Sequence, residues 1–275
     1  MKKIYLFRKL FAGAFFAFLF PVLLFSAGER QKISLNSDWK FQSKITTDLP
    51  ANPSYNDNSW ENVSLPHTWN ATDASDGGNN YLKTVGWYRK ILPWENEYAG
   101  KKLFIEFLGA NTKAECFVNG ESVGVHKGGY TAFRFDITDK LSTGDNVIAV
   151  KVDNRIDQEI APLSGDFSFY GGIYRNVSLI ITDSVHVDLM DKASPGLYLT
   201  TKNVSKENAT LEVKAKVLNE SSEAKQLVLK AELKHPDTFD AIADVNNPVF
   251  DVNSMSPGGN PIETLTETIT IPAGG

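Results

Sequence analysis

Short runs that alternate apolar and polar side chains, with turn residues between them, constrain this chain more than any other feature. Successive side chains of an extended strand point to opposite faces, so each run can bury one face and wet the other. Residues 33–41, Ile-Ser-Leu-Asn-Ser-Asp-Trp-Lys-Phe, read as one half-buried strand with Trp39 and Phe41 inward. Similar runs occupy residues 85–92, 102–108, 114–118, 121–126, 132–136, 146–153 and 176–182. Asn119-Gly120 separates the runs at 114–118 and 121–126, and Asn-Gly in that setting is a strong hairpin signal. Helical periodicity is nearly absent, with one short turn expected near residues 55–60. The pattern predicts an all-β fold whose first domain, residues 29–183, is a jelly-roll (galactose-binding-like) sandwich.

Alternation resumes at residues 185–189, 197–202, 209–219, 224–233 and 265–271. About ninety such residues suit an immunoglobulin-like β-sandwich over 184–275, without the cysteine pair of antibody domains. Residues 237–261, rich in Asp, Asn, Pro and Gly, read as a long hairpin loop. The closing Pro272-Ala273-Gly274-Gly275 reads as a turn toward a further strand, so this second sandwich is expected to be truncated.

The first 28 residues differ in kind: Lys2, Lys3, Arg8 and Lys9 form a basic start, residues 10–25 an apolar core, and Ser26-Ala27-Gly28 a small-residue cleavage site. This predicts an export leader over 1–28 and a periplasmic or extracellular protein. A transmembrane anchor is the competing reading; Pro21 and the small-residue end count against it. Without the four basic leader residues the formal charge goes from −5 to −9, which argues against nucleic acid and anionic membrane surfaces as partners. Cys116, the single cysteine, can form no internal disulfide and reads as a small buried apolar residue. His67, His126, His186 and His235 lie on separate segments without metal-ligand spacing, so no metal or cofactor is expected.

Residues 164–175, Ser-Gly-Asp-Phe-Ser-Phe-Tyr-Gly-Gly-Ile-Tyr-Arg, put a carboxylate and four aromatic rings into one glycine-bearing segment between strand-like runs. Asp166 can accept hydrogen bonds from neighbouring hydroxyls, while Phe167, Phe169, Tyr170 or Tyr174 can stack on the C–H face of a pyranose. The same composition also describes an ordinary sandwich corner. A second candidate loop, residues 73–81, offers Asn79, Asn80 and Tyr81 to a sugar hydroxyl, with a solvated turn as the alternative. His67 and Trp69 read first as packing groups, and Arg175 as the partner of a carboxylate or carbonyl beneath the loop.

Together with Pro66-His67-Thr68-Trp69, Gly86-Trp87-Tyr88-Arg89-Lys90 and Phe117-Val118-Asn119-Gly120-Glu121-Ser122-Val123-Gly124, the aromatic segment resembles the N-terminal sugar-binding domain of glycoside hydrolase family 2. Leu65-Pro66-His67-Thr68-Trp69-Asn70 and Asp76-Gly77-Gly78-Asn79 are similar in style to Bacteroidetes-type β-galactosidases. The resemblance implies a retaining β-glycosidase, most nearly a β-galactosidase, acting on a β-linked saccharide. It also implies that the acid/base and nucleophile Glu both sit in a (β/α)₈ barrel that follows. These residues hold no run of alternating strands and helices to carry such a pair, so none of them is read as catalytic. Glu95 and Glu97 read as solvated; Glu159 comes nearer the aromatic loop.

In the family's Asp-Phe-x-x-Tyr-x-Gly-Ile-x-Arg pattern the Asp contacts the sugar at the cleaved bond. Asp166 stands at that position, with Phe167, Tyr170, Gly172, Ile173 and Arg175 matching around it. Tyr170 lines the pocket or supports the loop. The rival readings are a stand-alone carbohydrate-binding module and a structural β-sandwich fragment without enzymatic role. The purified 275-residue chain should therefore show no turnover of a nitrophenyl galactoside. Hydrolysis that disappears on mutating a carboxylate within the chain would overturn this expectation.

Overall fold

The computed structural model describes residues 30–73, 75, 81–164, 169–205, 210–234 and 261–274. The expected leader lies outside the described residues, as does nearly all of the loop expected over 237–261. Ten strands build the two sheets of the first unit: β1 (Gln31–Ser34), β2 (Trp39–Ser43), β3 (Glu61–Val63), β4 (Val85–Pro93), β5 (Lys102–Phe107), β6 (Lys113–Val118), β7 (Glu121–Lys127), β8 (Phe133–Asp136), β9 (Asp145–Asp153) and β10 (Val177–Thr182). They form a four-stranded sheet in the order β1-β10-β5-β8 and a six-stranded sheet in the order β3-β2-β4-β9-β6-β7. The chain is all-β, as the alternation predicts.

The inner faces meet in one apolar core. In the larger sheet the antiparallel register sets Phe41 beside Tyr88, Tyr88 beside Val150, and Val150 beside Cys116. In the smaller sheet Leu179 lies beside Ile105 and Ile105 beside Phe135. All of these side chains belong to the same buried cluster. Trp39 and Phe41 face inward as expected, and Cys116 is fully buried, which pushes its thiol pKa well up. Asn119 and Gly120 both take positive φ, as a tight hairpin between β6 and β7 requires.

Two strand expectations need correction: the run expected over 209–219 is two strands, Thr210–Ala215 and Val217–Asn219, in different sheets, and the first run divides as well. Residues 33–41 do not form a single strand: β1 pairs in the smaller sheet and β2 in the larger. The alternation runs on through the break, but Asn36 and Asp38 turn the chain. Asn36 Oδ1 accepts the Val177 amide at 2.9 Å and its Nδ2 donates to Asn176 Oδ1 at 3.1 Å, while Asp38 takes φ 58°.

Outer faces are covered too, which is why β5 and β10 read as almost continuously buried. Over the larger sheet, Val85, Trp87, Phe117 and Ala149 pack with Ala51 and Trp60 from the turns that precede β3. Arg89, almost wholly buried, fastens that cover: Nε donates to Asp57 at 2.7 Å, and the guanidinium also reaches the Pro50, Asn52 and Pro53 carbonyls. Over the smaller sheet, Leu189 packs on Phe104 and Ile180. Arg134 Nη1 donates to the Leu189 and Ser194 carbonyls at 2.9 and 2.8 Å. Residues 184–196, including β11 (Val185–Val187), thus pack with the first unit, and the second compact unit begins at Leu197.

That second unit contains β12 (Leu197–Lys202), β13 (Thr210–Ala215), β14 (Val217–Asn219), β15 (Lys225–Lys234) and β16 (Pro261–Ile271). Strands β12 and β13 pair antiparallel, as do β15 and β16. Buried Asn219 ties its turn: Nδ2 donates to the Glu223, Ile271 and Pro272 carbonyls at 2.8, 3.1 and 3.1 Å.

Glu106 sits beneath the cover of the smaller sheet, 3% exposed, with Lys32 at 2.6 Å and Arg134 at 2.7 Å. Burial works against its charge, but the two cations more than offset that and hold the carboxyl below its ordinary 4.5. A depressed folded-state pKa contributes stability that is complete above the ordinary value and is lost as pH falls through the folded one. Glu106→Gln should therefore cost about 2–4 kcal/mol at neutral pH and flatten the fall of Tm between about pH 5 and pH 3. Thermal melts across that range decide; an unchanged acid slope would remove Glu106 from the account.

Candidate functional site

A buried carboxamide organises the loops at one end of the first unit. Asn70 follows the Pro-His-Thr-Trp motif and is fully buried. Its Nδ2 donates to Asp73 Oδ2 at 2.6 Å and to the Leu82 carbonyl at 3.1 Å. Its Oδ1 accepts the Gly171 amide at 2.6 Å and Asn154 Nδ2 at 3.3 Å. Asn154, at the exit of β9, also donates to the Leu82 carbonyl and accepts the Thr84 amide, at 2.9 and 2.7 Å. Asp73 Oδ2 takes the Leu82 amide at 2.7 Å and so closes the base of the 73–82 loop.

Below this network the aromatic motifs pack into the core. Trp69 stacks on Phe41 at 5.8 Å and donates Nε1 to the Leu82 carbonyl at 3.2 Å. Tyr88 shares its hydroxyl with His67 Nδ1 at 2.8 Å and the Ile173 amide at 3.4 Å. Burial lowers the His67 pKa, so at neutral pH its ring is uncharged and Nδ1 can accept the Tyr88 proton. Gly171 and Gly172 answer to this crowding. A Cβ on Gly171 would stand 2.3 Å from Trp69 Cζ2 and 2.5 Å from Asn154 Nδ2. On Gly172, at φ +112°, it would meet the Tyr88 hydroxyl at 2.5 Å.

A third loop joins from the other side. Asn111 exchanges backbone hydrogen bonds with Gly172 at 3.0 and 3.3 Å and donates Nδ2 to the Tyr170 carbonyl at 2.8 Å. Tyr174 donates its hydroxyl to the Gly129 carbonyl. Arg175 lies over the Tyr174 ring and reaches the Leu108 and Tyr130 carbonyls at 3.4 and 3.5 Å, so of the two expected partners, carboxylate or carbonyl, it takes the second.

Of the predicted saccharide contacts, Asp166, Asn79 and Asn80 lie outside the described residues. Tyr170 is described: its carbonyl is fixed from below by Asn111 and its side chain is 37% exposed. Tyr81 directly precedes Leu82, where Asn70, Asp73, Trp69 and Asn154 converge. His67 and Trp69 serve as packing and loop-fixing groups. Glu159 is exposed and pairs with Lys127 at 2.9 Å.

Sequence reading missed Asn154, took Asp73 only as the start of a candidate loop, and cited Asn70 only as part of a motif. The visible signal was a polar residue on each side of a candidate loop; the partnership itself spans 84 positions of sequence. Beside Asn154 opens a cleft of about 540 Å³ lined by Lys113, Asp153, Arg155 and Gln158. Arg155 grips both Asp153 oxygens at 2.9 to 3.1 Å through Nε, so the charges there largely satisfy each other. Among the described residues no group of three or more His, Cys, Asp or Glu could hold a metal ion, and no helix is long and apolar enough to cross a membrane.

The profile described as "Glycosyl hydrolases family 2, sugar binding domain" matches residues 25–183, the stretch that contains every loop of this end. The chain belongs to glycoside hydrolase family 2. A family relative named β-glucuronidase, from Bacteroides fragilis, is 41% identical over 212 residues, which are 75% of this chain and 29% of that protein. A β-galactosidase of Thermoanaerobacter pseudethanolicus is 37% identical over 205 residues, 69% of this chain and 27% of the relative. The crystal structure of a Bacteroides uniformis β-glucuronidase superposes with a TM-score of 0.78 at 36% identity, covering 90% of this chain and 26% of the other. The chain thus spans less than a third of the length of these family members.

The tight contact around Gly171 is directly testable. Gly171→Ala forces a methyl into Trp69 and Asn154, and overpacking of this kind costs about 1–3 kcal/mol. The variant should melt several degrees lower; an unchanged Tm would show that the Asn70 end tolerates the displacement.

Proposed function

We propose that this chain is the N-terminal portion of an exported, retaining β-glycosidase, supplying the sugar-binding domain and an immunoglobulin-like scaffold domain to a catalytic barrel. One observation carries the reading: three of the segments that match the family's motifs, residues 66–69, 86–90 and the described 169–175, meet at one end of the first unit, where Asn70, Tyr88 and Asn111 fix the chain beside Tyr81 and Tyr170; the 117–124 hairpin turns at the other end, beside Asn146 and Val147. Such a site binds and orients sugar without moving a proton in the bond-breaking step, and Asp166 is the group proposed to hold the sugar hydroxyls. A stand-alone binding module has less need of this linked set of motifs.

The sugar is a β-galactoside on the style of the motifs around residues 65–79. The relatives support a β-glucuronide as a second reading, because the Bacteroides fragilis and Bacteroides uniformis proteins similar to this chain carry that name.

The experiment expresses the chain together with the coding sequence downstream of Gly275 and assays nitrophenyl β-galactoside against nitrophenyl β-glucuronide. Hydrolysis of either supports the glycosidase and chooses the sugar; hydrolysis of neither by a folded protein with an intact barrel rejects it. Charge-assisted hydrogen bonds donated by sugar hydroxyls to a shielded carboxylate contribute roughly 2–4 kcal/mol, so Asp166→Ala should lower kcat/KM about thirty-fold to a thousand-fold with Tm retained. Unchanged activity with a lowered Tm would make Asp166 a structural corner residue.

A further inference from the structure

The two described candidate contacts, Tyr81 and Tyr170, are each one residue from an atom tied to Asn70. Leu82 gives its carbonyl to Asn70 Nδ2 at 3.1 Å, and Gly171 gives its amide to Asn70 Oδ1 at 2.6 Å. Asp73, at the start of the loop that holds Tyr81, takes the other Nδ2 hydrogen at 2.6 Å. Asn154 completes the set at 3.3 Å. A carboxamide offers two donors and two acceptor sites in one plane, and here all four are used with no exposure to solvent. Neither a carboxylate nor a hydroxyl of similar size can reproduce that pattern.

We propose that Asn70 is a positioning residue for saccharide binding: through Leu82 and Gly171 it holds Tyr81 and Tyr170 in one fixed relation, so that these two residues bind as a single wall. The inference rests on the glycosidase reading above and deepens it. Asn70 itself is buried and touches no substrate. Its effect is on orientation, where a displacement of about 1 Å can cost on the order of a hundredfold in rate.

Asn70→Asp is the informative variant, since it keeps the shape and replaces the donor pair with oxygen. Residue 70 would then face the Asp73 carboxylate and the Leu82 carbonyl, contacts that need a shared proton. Asp73 is the titratable group in hydrogen-bond contact with residue 70, and nearby His67 is held neutral by burial at neutral pH. In the glycosidase carrying its barrel, Asn70→Asp should lower kcat/KM about 30- to 300-fold at pH 8 and recover at least about tenfold relative to wild type at pH 5. Asn70→Ala should lose as much without the acid recovery.

Hydrogen exchange on the 275-residue chain provides a readout that needs no activity. In Asn70→Ala, peptides containing Leu82 and Gly171 should exchange faster together, with those of β5 unchanged. If the wild-type enzyme hydrolyses no glycoside while both peptides still loosen together, the glycosidase reading fails and the tie between the loops stands. If only one peptide responds, if the whole sandwich loosens, or if activity per folded molecule matches wild type while Tm falls, Asn70 is an ordinary stabilising residue and the inference is overturned.

Discussion

The Tyr88 hydroxyl is where the apolar core meets the polar end of the molecule. The ring is fully buried between Trp39 and Phe41 on the central strand of the larger sheet, yet its oxygen must be satisfied. It finds His67 on one motif loop and the Ile173 amide on another. A buried hydroxyl without such partners costs about 1–3 kcal/mol, so the two loops and the strand stabilise one another. Core packing at Tyr88 therefore sets where both loops start, and the carboxamide of Asn70 sets how far apart they can move.

Both sheets of the sandwich carry cover on part of their outer faces. Arg89 and Tyr88 are neighbours on β4 and point to opposite sides: one holds the outer cover through Asp57 and three carbonyls, the other reaches the site. Burial works against the Asp57 charge, but hydrogen bonds from Lys40 and Arg89 prevail and keep its carboxyl below the usual range. Arg134 plays the matching part on the smaller sheet, with Glu106 on one side and the Leu189 and Ser194 carbonyls on the other. Each cover is pinned by an arginine because its planar fork can serve several acceptors at once.

Most strands were legible because turn residues bound short runs rich in β-branched and aromatic side chains; β5, β6, β9 and β10 begin or end within a residue of the predicted runs even though β5 and β10 are covered on both faces. The break between β1 and β2 was not legible. Its cause is a side chain, Asn36, bonding to residues far along the chain, and alternation carries no trace of it. Residues 184–196 read as the start of a new domain because they begin a new alternating run; the packing of Leu189 on Phe104 and Ile180, the His186 ring against Phe104 and the Arg134 hydrogen bonds to the Leu189 and Ser194 carbonyls join them to the first unit. At the candidate site, the motifs marked segments that Asn70 and Tyr88 join, while the amide network between them depends on Asn154, whose neighbours in sequence give no hint of Asn70. Motif order reports ancestry; hydrogen-bond closure has to be seen in three dimensions.

Cys116 gives the chain one further property. Its sulfur lies in the row of inward side chains beside Val150, with no exposed surface and with burial disfavouring the thiolate. In an oxidising medium the folded chain offers no nucleophile for mixed disulfides, so two copies cannot cross-link through it. A thiol reagent in solution reaches that sulfur only when the two sheets part. The lone cysteine is thereby a chemical clock for opening of the sandwich, silent while the fold holds and irreversible once it has let go.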